Sequence, residues 1–188
     1  MNASRRRLLA GAAVAGASVI AGGSRAGQQA TEKPAGSSRE GDRSEDVSPG
    51  EDLMREHGVL TRLLLIYGEA ARRLEANREL PPATLADSAA IVRTFIEDYH
   101  EQLEETYLFP RFRKANRLVE LVDVLTTQHR AGRQVTEVVL RLASNEALRS
   151  PENRLRLASV LRMFVRMYAP HQAREDTILF PAFHELAS

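Results

Sequence analysis

The sequence predicts an all-α fold, an antiparallel up-down four-helix bundle over residues 48–188. Three observations lead there. Four stretches carry apolar residues at steps of three and four, the mark of one buried helical face. Breaks at Pro81-Pro82, Ala115-Asn116 and Ser150-Pro151 separate them, and short connections favour neighbours that run in opposite directions. Each of the four stripes also includes one histidine: His57, His100, His129 and His171.

The chain begins with two segments outside the bundle. Residues 1–26 carry Arg5, Arg6, Arg7 and Arg25 and no acid, followed by a short run rich in Ala, Gly and Val. A positive start before a weakly apolar core reads as an export signal and resembles the twin-arginine type. The apolar run is too short and too rich in Ala and Gly for a comfortable membrane span. An uncleaved anchor or a basic disordered tail is the alternative, the anchor being the only membrane contact expected. Ser24-Arg25-Ala26 and Ile20-Ala21-Gly22 both suit cleavage. The expected location is periplasmic or secreted, and the twin-arginine route carries folded proteins, so a cofactor can be loaded first. Residues 27–47 are rich in Gly, Ser, Glu, Asp and Arg. They hold too little apolar surface to offset ordering entropy and read as a disordered linker.

The first helix opens at Ser48-Pro49-Gly50-Glu51, a capping box with Pro at the first helical position. Its stripe is Leu53, His57, Leu60, Leu64, Tyr67, Ala71 and Leu74. The second carries Leu85, Ala89, Val92, Ile96, His100, Leu103 and Tyr107. The third carries Leu118, Val122, Leu125, His129, Gly132, Thr136, Val139 and Leu142. The fourth carries Leu157, Leu161, Phe164, Tyr168, His171, Glu175, Ile178 and Ala182.

The histidine pattern occurs twice. His57 precedes His100-x-x-x-Glu104, and His129 precedes His171-x-x-x-Glu175. The copies continue as Leu108-Phe109-Pro110-Arg111-Phe112 and Leu179-Phe180-Pro181-Ala182-Phe183. Residues four apart share a helix face, so each His-x-x-x-Glu can reach one point. A carboxylate on a buried stripe is costly unless paired or ligated. His57, His100, Glu104, His129, His171 and Glu175 are therefore the candidate metal ligands. Imidazole with carboxylate suits iron or manganese, and the duplication suggests two ions in one site. Buried His–Glu pairs without metal are the bland alternative. Pro110 and Pro181 are expected to kink or end their helices, and Pro170 to kink the fourth. His184 stands outside the repeat and is expected at the surface.

Composition narrows the chemistry. With no Cys there is no disulfide, thiolate metal site, iron–sulfur cluster or cysteine nucleophile. The formal charge of +1 becomes −3 without the four arginines of residues 1–26, so nucleic acid is not an expected partner. No general base, nucleophile or substrate pocket is legible, which leans away from an enzyme.

At the duplicated motif the chain resembles the hemerythrin family, in its bacterial HHE branch, over roughly residues 50–188. The resemblance implies an up-down four-helix bundle with a non-haem di-iron centre. His57 and His100 would serve one iron, His129 and His171 the other, and Glu104 and Glu175 would bridge them. Its implied ligands are dioxygen, peroxide or nitric oxide, bound or sensed, with peroxidase- or ferroxidase-like turnover as the alternative. Oxygen carriers add a histidine four residues from the first on the third helix, where this chain has Leu125 and Arg133. That departure weighs against reversible oxygen carriage. The carriers' His-x-x-x-x-Asp spacing is met by His171 and Asp176, leaving Asp176 as a second candidate beside Glu175. Tyr107 and Tyr168 are candidate hydrogen-bond donors to the site.

Overall fold

The computed structural model describes residues 47–187. The expected export signal and all but the last residue of the expected linker lie outside the described residues. All regular structure among the described residues is helical, in four long helices, α1 (Pro49–Glu75), α2 (82–114), α3 (Val119–Leu142) and α4 (151–187), with a short 3-10 turn at Ala147–Arg149 before α4. None is long and apolar enough to cross a membrane.

The helix starts follow local chemistry. Ser48 Oγ accepts from Glu51 N–H, and Glu51 Oε2 accepts from Ser48 N–H at 2.8 Å, closing the capping box. Ser150 Oγ accepts from Asn153 N–H at the head of α4. Asn77 and Asn116, just past α1 and α2, take the left-handed conformation, which asparagine tolerates at helix ends. Leu118 takes it too, with φ of 51°, at the head of α3. No side chain caps that end, so the strain is held by packing of Leu118 against the core.

Two helices depart from the α period. In α2, π-helical turns span Val92–His100 and Glu104–Leu108; in α4 one spans Glu175–Leu179. This corrects two expectations. Tyr107 and Ile178, placed on buried stripes by the sequence, are exposed. Leu108 and Leu179, one residue later, are buried at 3% and 0%. The wider π turn advances each residue by a smaller angle, so the inward position slips from the third residue after Glu104 or Glu175 to the fourth. Pro110 and Pro181 do not end their helices, which continue to Lys114 and Ala187. The carbonyls that a proline ring would crowd, at Thr106 and Thr177, lie within the π turns. The α-helical part of α4 runs through Pro170 to Arg174.

The core has two apolar clusters. One centres on Leu60, Tyr67, Ile96, Val139, Leu161 and Phe164. The other holds Leu53, Leu108, Phe112, Leu125, Leu179 and Phe183. On each helix the motif histidine falls between members of the two: His57 between Leu53 and Leu60, His100 between Ile96 and Leu108, His129 between Leu125 and Val135, His171 between Tyr168 and Leu179. The histidines thus form a polar layer inside the bundle.

Candidate metal centre

His57, His100, Glu104, His129, His171 and Glu175 are all buried, with at most 2% exposure. The rings meet in two pairs. His57 Nε2 lies 3.1 Å from His100 Nε2, and His129 Nε2 lies 3.2 Å from His171 Nε2. Glu175 touches both pairs, at 3.4 Å from His57 Nε2 and 3.0 Å from His171 Nε2. Glu104 also faces both, at 3.8 Å from His100 Nε2 and 3.5 Å from His129 Nε2. His57, His100 and Glu175 form one group able to hold a metal ion; His129, His171 and Glu175 form another.

The opposite nitrogens determine what the inner ones can be. His57 Nδ1–H donates to Asp176 at 2.7 Å, His100 Nδ1–H to Glu56 at 2.8 Å, and His129 Nδ1–H to Glu105 at 2.9 Å. His171 Nδ1–H donates to the Gln128 amide oxygen at 2.9 Å. A carboxylate only accepts, so it fixes the proton on Nδ1 and leaves a lone pair on Nε2. Four lone pairs then converge in two close pairs. Neutral rings cannot hydrogen-bond each other there, since neither Nε2 has a proton to give. Among the described residues, the two inner carboxylates have no hydrogen-bond donor on either oxygen. Buried acceptors without donors are rare and costly, and cations would satisfy them; the two groups above take in the four rings and Glu175 and leave Glu104 outside. The donor set therefore fits a metal centre of the imidazole–carboxylate kind.

Without a cation, the inner carboxylates draw protons toward the rings instead. Burial, with Glu175 and then Glu101 adding repulsion, raises the Glu104 carboxyl far above its ordinary range. Burial acts the same way on Glu175, but His171, His57 and His129 outweigh it and hold Glu175 well below that range. Burial disfavours a proton on His57, yet Glu175 and Asp176 prevail and raise its pKa. Burial lowers His129. The hydrogen bond from His129 takes Glu105 down to about 2, helped by Arg133 against desolvation. The interior thus draws positive charge.

Aromatic residues back the rings across the repeat. Phe180 stacks on His57 and Phe109 on His129, both with centroids 5.5 Å apart. The Leu-Phe-Pro segments therefore pack against ligand-type rings of the opposite half.

Asp176, the alternative to Glu175, lies on the outer side of His57 and orients that ring; Glu175 faces inward. Leu125 is buried in apolar surroundings, and Arg133 pairs with Glu101 and Glu105 at 2.9 and 2.8 Å, so neither replaces the missing imidazole. Tyr107 points away from the site, at 64% exposure. Tyr168 is buried and donates to Glu101 at 2.6 Å, which is not one of the six. His184 is exposed, as expected. Sequence reasoning missed Glu56, Gln128 and Glu105, the outer partners of three rings. Their signal was adjacency: Glu56-His57 matches Gln128-His129, and Glu104-Glu105 matches Glu175-Asp176.

Among known proteins, the uncharacterized protein Rv1995 of Mycobacterium tuberculosis and the uncharacterized protein Mb2018 of Mycobacterium bovis are each 49% identical to the chain over 142 residues. The match covers 76% of this chain and 56% of each relative, so the chain spans little more than half the length of the curated relatives it matches. No solved structure matches it. Residues 48–183 match the hemerythrin HHE cation binding domain, and the chain belongs to that family.

Proposed function

We propose that this protein is an exported, non-haem di-iron protein that binds dioxygen or a related small molecule, or senses redox state or iron. The observation that carries the reading is the set of four imidazoles whose outer nitrogens are held by acceptors while their inner lone pairs converge on two carboxylates without donors. In this reading His57 and His100 would hold one ion and His129 and His171 the other, with Glu104 and Glu175 facing both pairs. The ions would supply redox-active positions for a small ligand, and manganese suits the same donors. The helices run up and down as an antiparallel bundle, in keeping with their short connections.

The residues have defined tasks. Glu56, Glu105, Asp176 and Gln128 orient the rings and fix their tautomers. Phe109 and Phe180 keep water from two ring faces. A cavity of about 290 Å³ is lined by Leu53, Glu56, Leu103, Leu108 and Phe183, and so reaches the carboxylate that holds His100. Asp52, Tyr107 and Arg111 also line it. Export rests on the arginine-led start of the sequence, with the periplasm or exterior as destination.

The test is iron content with an optical spectrum of the full chain, reduced and then exposed to air. Two irons per chain with a spectrum that changes in air and reverts under vacuum support diatomic binding. A change that needs a reductant to reset supports redox sensing. Repeated turnover of added peroxide without bleaching would overturn both in favour of an enzyme.

A further inference from the structure

The outer partners of the histidines repeat with the motif, and the repeat is broken. The residue before the first histidine of each half holds the second histidine of the same half: Glu56 holds His100, and Gln128 holds His171. The residue after each inner glutamate holds the first histidine of the other half: Glu105 holds His129, and Asp176 holds His57. Three of these four partners are carboxylates and one is an amide. A second break lies one turn beyond the first histidine. Arg133 follows His129 by four residues and pairs with Glu105 at 2.8 Å; Thr61 occupies the matching place after His57 and donates to the His57 carbonyl.

The two ring pairs therefore sit in different fields. His57 and His100 are both backed by carboxylates, and neither Asp176 nor Glu56 pairs with an arginine or lysine among the described residues. His129 and His171 are backed by one carboxylate that a guanidinium neutralises and by one neutral amide. Glu104 and Glu175 face both pairs, somewhat closer to His129 and His171, so the difference drawn here is the one that the outer partners impose. A carboxylate on Nδ1–H pushes electron density to Nε2, making the ring a stronger donor and favouring a more highly charged ion.

We propose that Gln128 is a specificity-determining residue that makes the two metal positions unequal: the His57–His100 position holds its ion more tightly and favours the higher oxidation state, and the His129–His171 position is the exchangeable, more readily reduced one. This rests on the two-metal reading above. It gives the centre a fixed polarity, with the His129–His171 position the last to load and the first to be reduced.

The experiment is a calorimetric titration of the metal-free full chain with Mn(II), for the wild type, Gln128→Glu and Glu56→Gln, with circular dichroism to verify folding. The wild type should take up two ions in two steps separated by about 10- to 100-fold in affinity, the range typical of such outer partners. Gln128→Glu should tighten the weaker step alone and narrow the gap. Glu56→Gln should weaken the tighter step alone, and it tests the proposal even where Gln128→Glu fails to fold. On iron-loaded protein, Gln128→Glu should lower the potential of the more readily reduced ion. Two ions bound with equal affinity in the wild type, or both steps shifting together in either variant, overturn the proposal and leave the two-metal reading standing. Uptake of fewer than two ions overturns both.

Discussion

Glu175 and Asp176 are chain neighbours with opposite duties. Glu175 is fully buried and reaches three histidine Nε2 atoms; Asp176, with its side chain 31% exposed, meets only the outer nitrogen of His57. Glu175→Gln should abolish metal uptake. Asp176→Asn should keep the stoichiometry and weaken affinity about 10- to 100-fold. Metal analysis after dialysis separates the two variants. Gly132 has a different necessity. A Cβ there would lie 1.9 Å from the Tyr168 hydroxyl oxygen, and that hydroxyl is fixed by its bond to Glu101. Gly132→Ala should therefore cost about 1–3 kcal/mol in denaturant unfolding, the range for overpacking a dense core. Glu101 itself carries a pH signature. Burial pushes its carboxyl up to about 8, although Tyr168 and Arg133 favour the charged form. Its folded pKa is above the unfolded one, so its share of stability is full below about 4.5 and is lost as pH rises to about 8. In metal-free protein, wild type should lose stability relative to Glu101→Gln across that window, at no more than about 1.4 kcal/mol per pH unit. Parallel melting curves at stepped pH check the sign.

At the scale of the element, the π turns decide what faces the core. They follow Glu104 and Glu175, and they bring Leu108, Phe109, Leu179 and Phe180 inward while Tyr107 and Ile178 turn out. Phe180 then stacks on His57 with 1% exposure. Phe180→Ala should cost about 3–5 kcal/mol and weaken metal retention, because it removes both core volume and the wall behind a ligand-type ring. Tyr107→Ala should change stability by no more than about 0.5 kcal/mol, as expected for an exposed position. Chemical denaturation of the two variants tests the phase shift directly. This shift also marks where the sequence stopped being legible. The stripes of α1 and α3, and the placement of one histidine on each helix, followed from steps of three and four. A constant period of 3.6 could not show that α2 and α4 widen after their glutamates. It gave no role to Glu56, Glu105 and Gln128, because each is polar and adjacent to a stripe position rather than on it. Only the folded geometry turns those neighbours onto the outer nitrogens of rings in other helices.

At the scale of the molecule, a polar layer divides the apolar core. Leu60, Ile96, Val139 and Phe164 lie on one side and Leu53, Phe112, Leu125 and Phe183 on the other. Between them sit four imidazoles and two carboxylates that lack donors of their own. An interior of this kind is stable when a cation neutralises it, and the free energy of binding then adds to that of folding. Metal removal should lower the melting temperature while the apolar clusters keep the chain helical. The most direct measurement is metal content of the full chain purified under reducing conditions, beside the Glu175→Gln variant, with melting curves before and after chelation. The expected result is two ions per wild-type chain, loss of metal in the variant, and a chelator-induced fall in wild-type melting temperature that the variant does not show. A wild-type chain that carries no metal, takes none up and melts at the same temperature with or without chelator would contradict the metal centre itself.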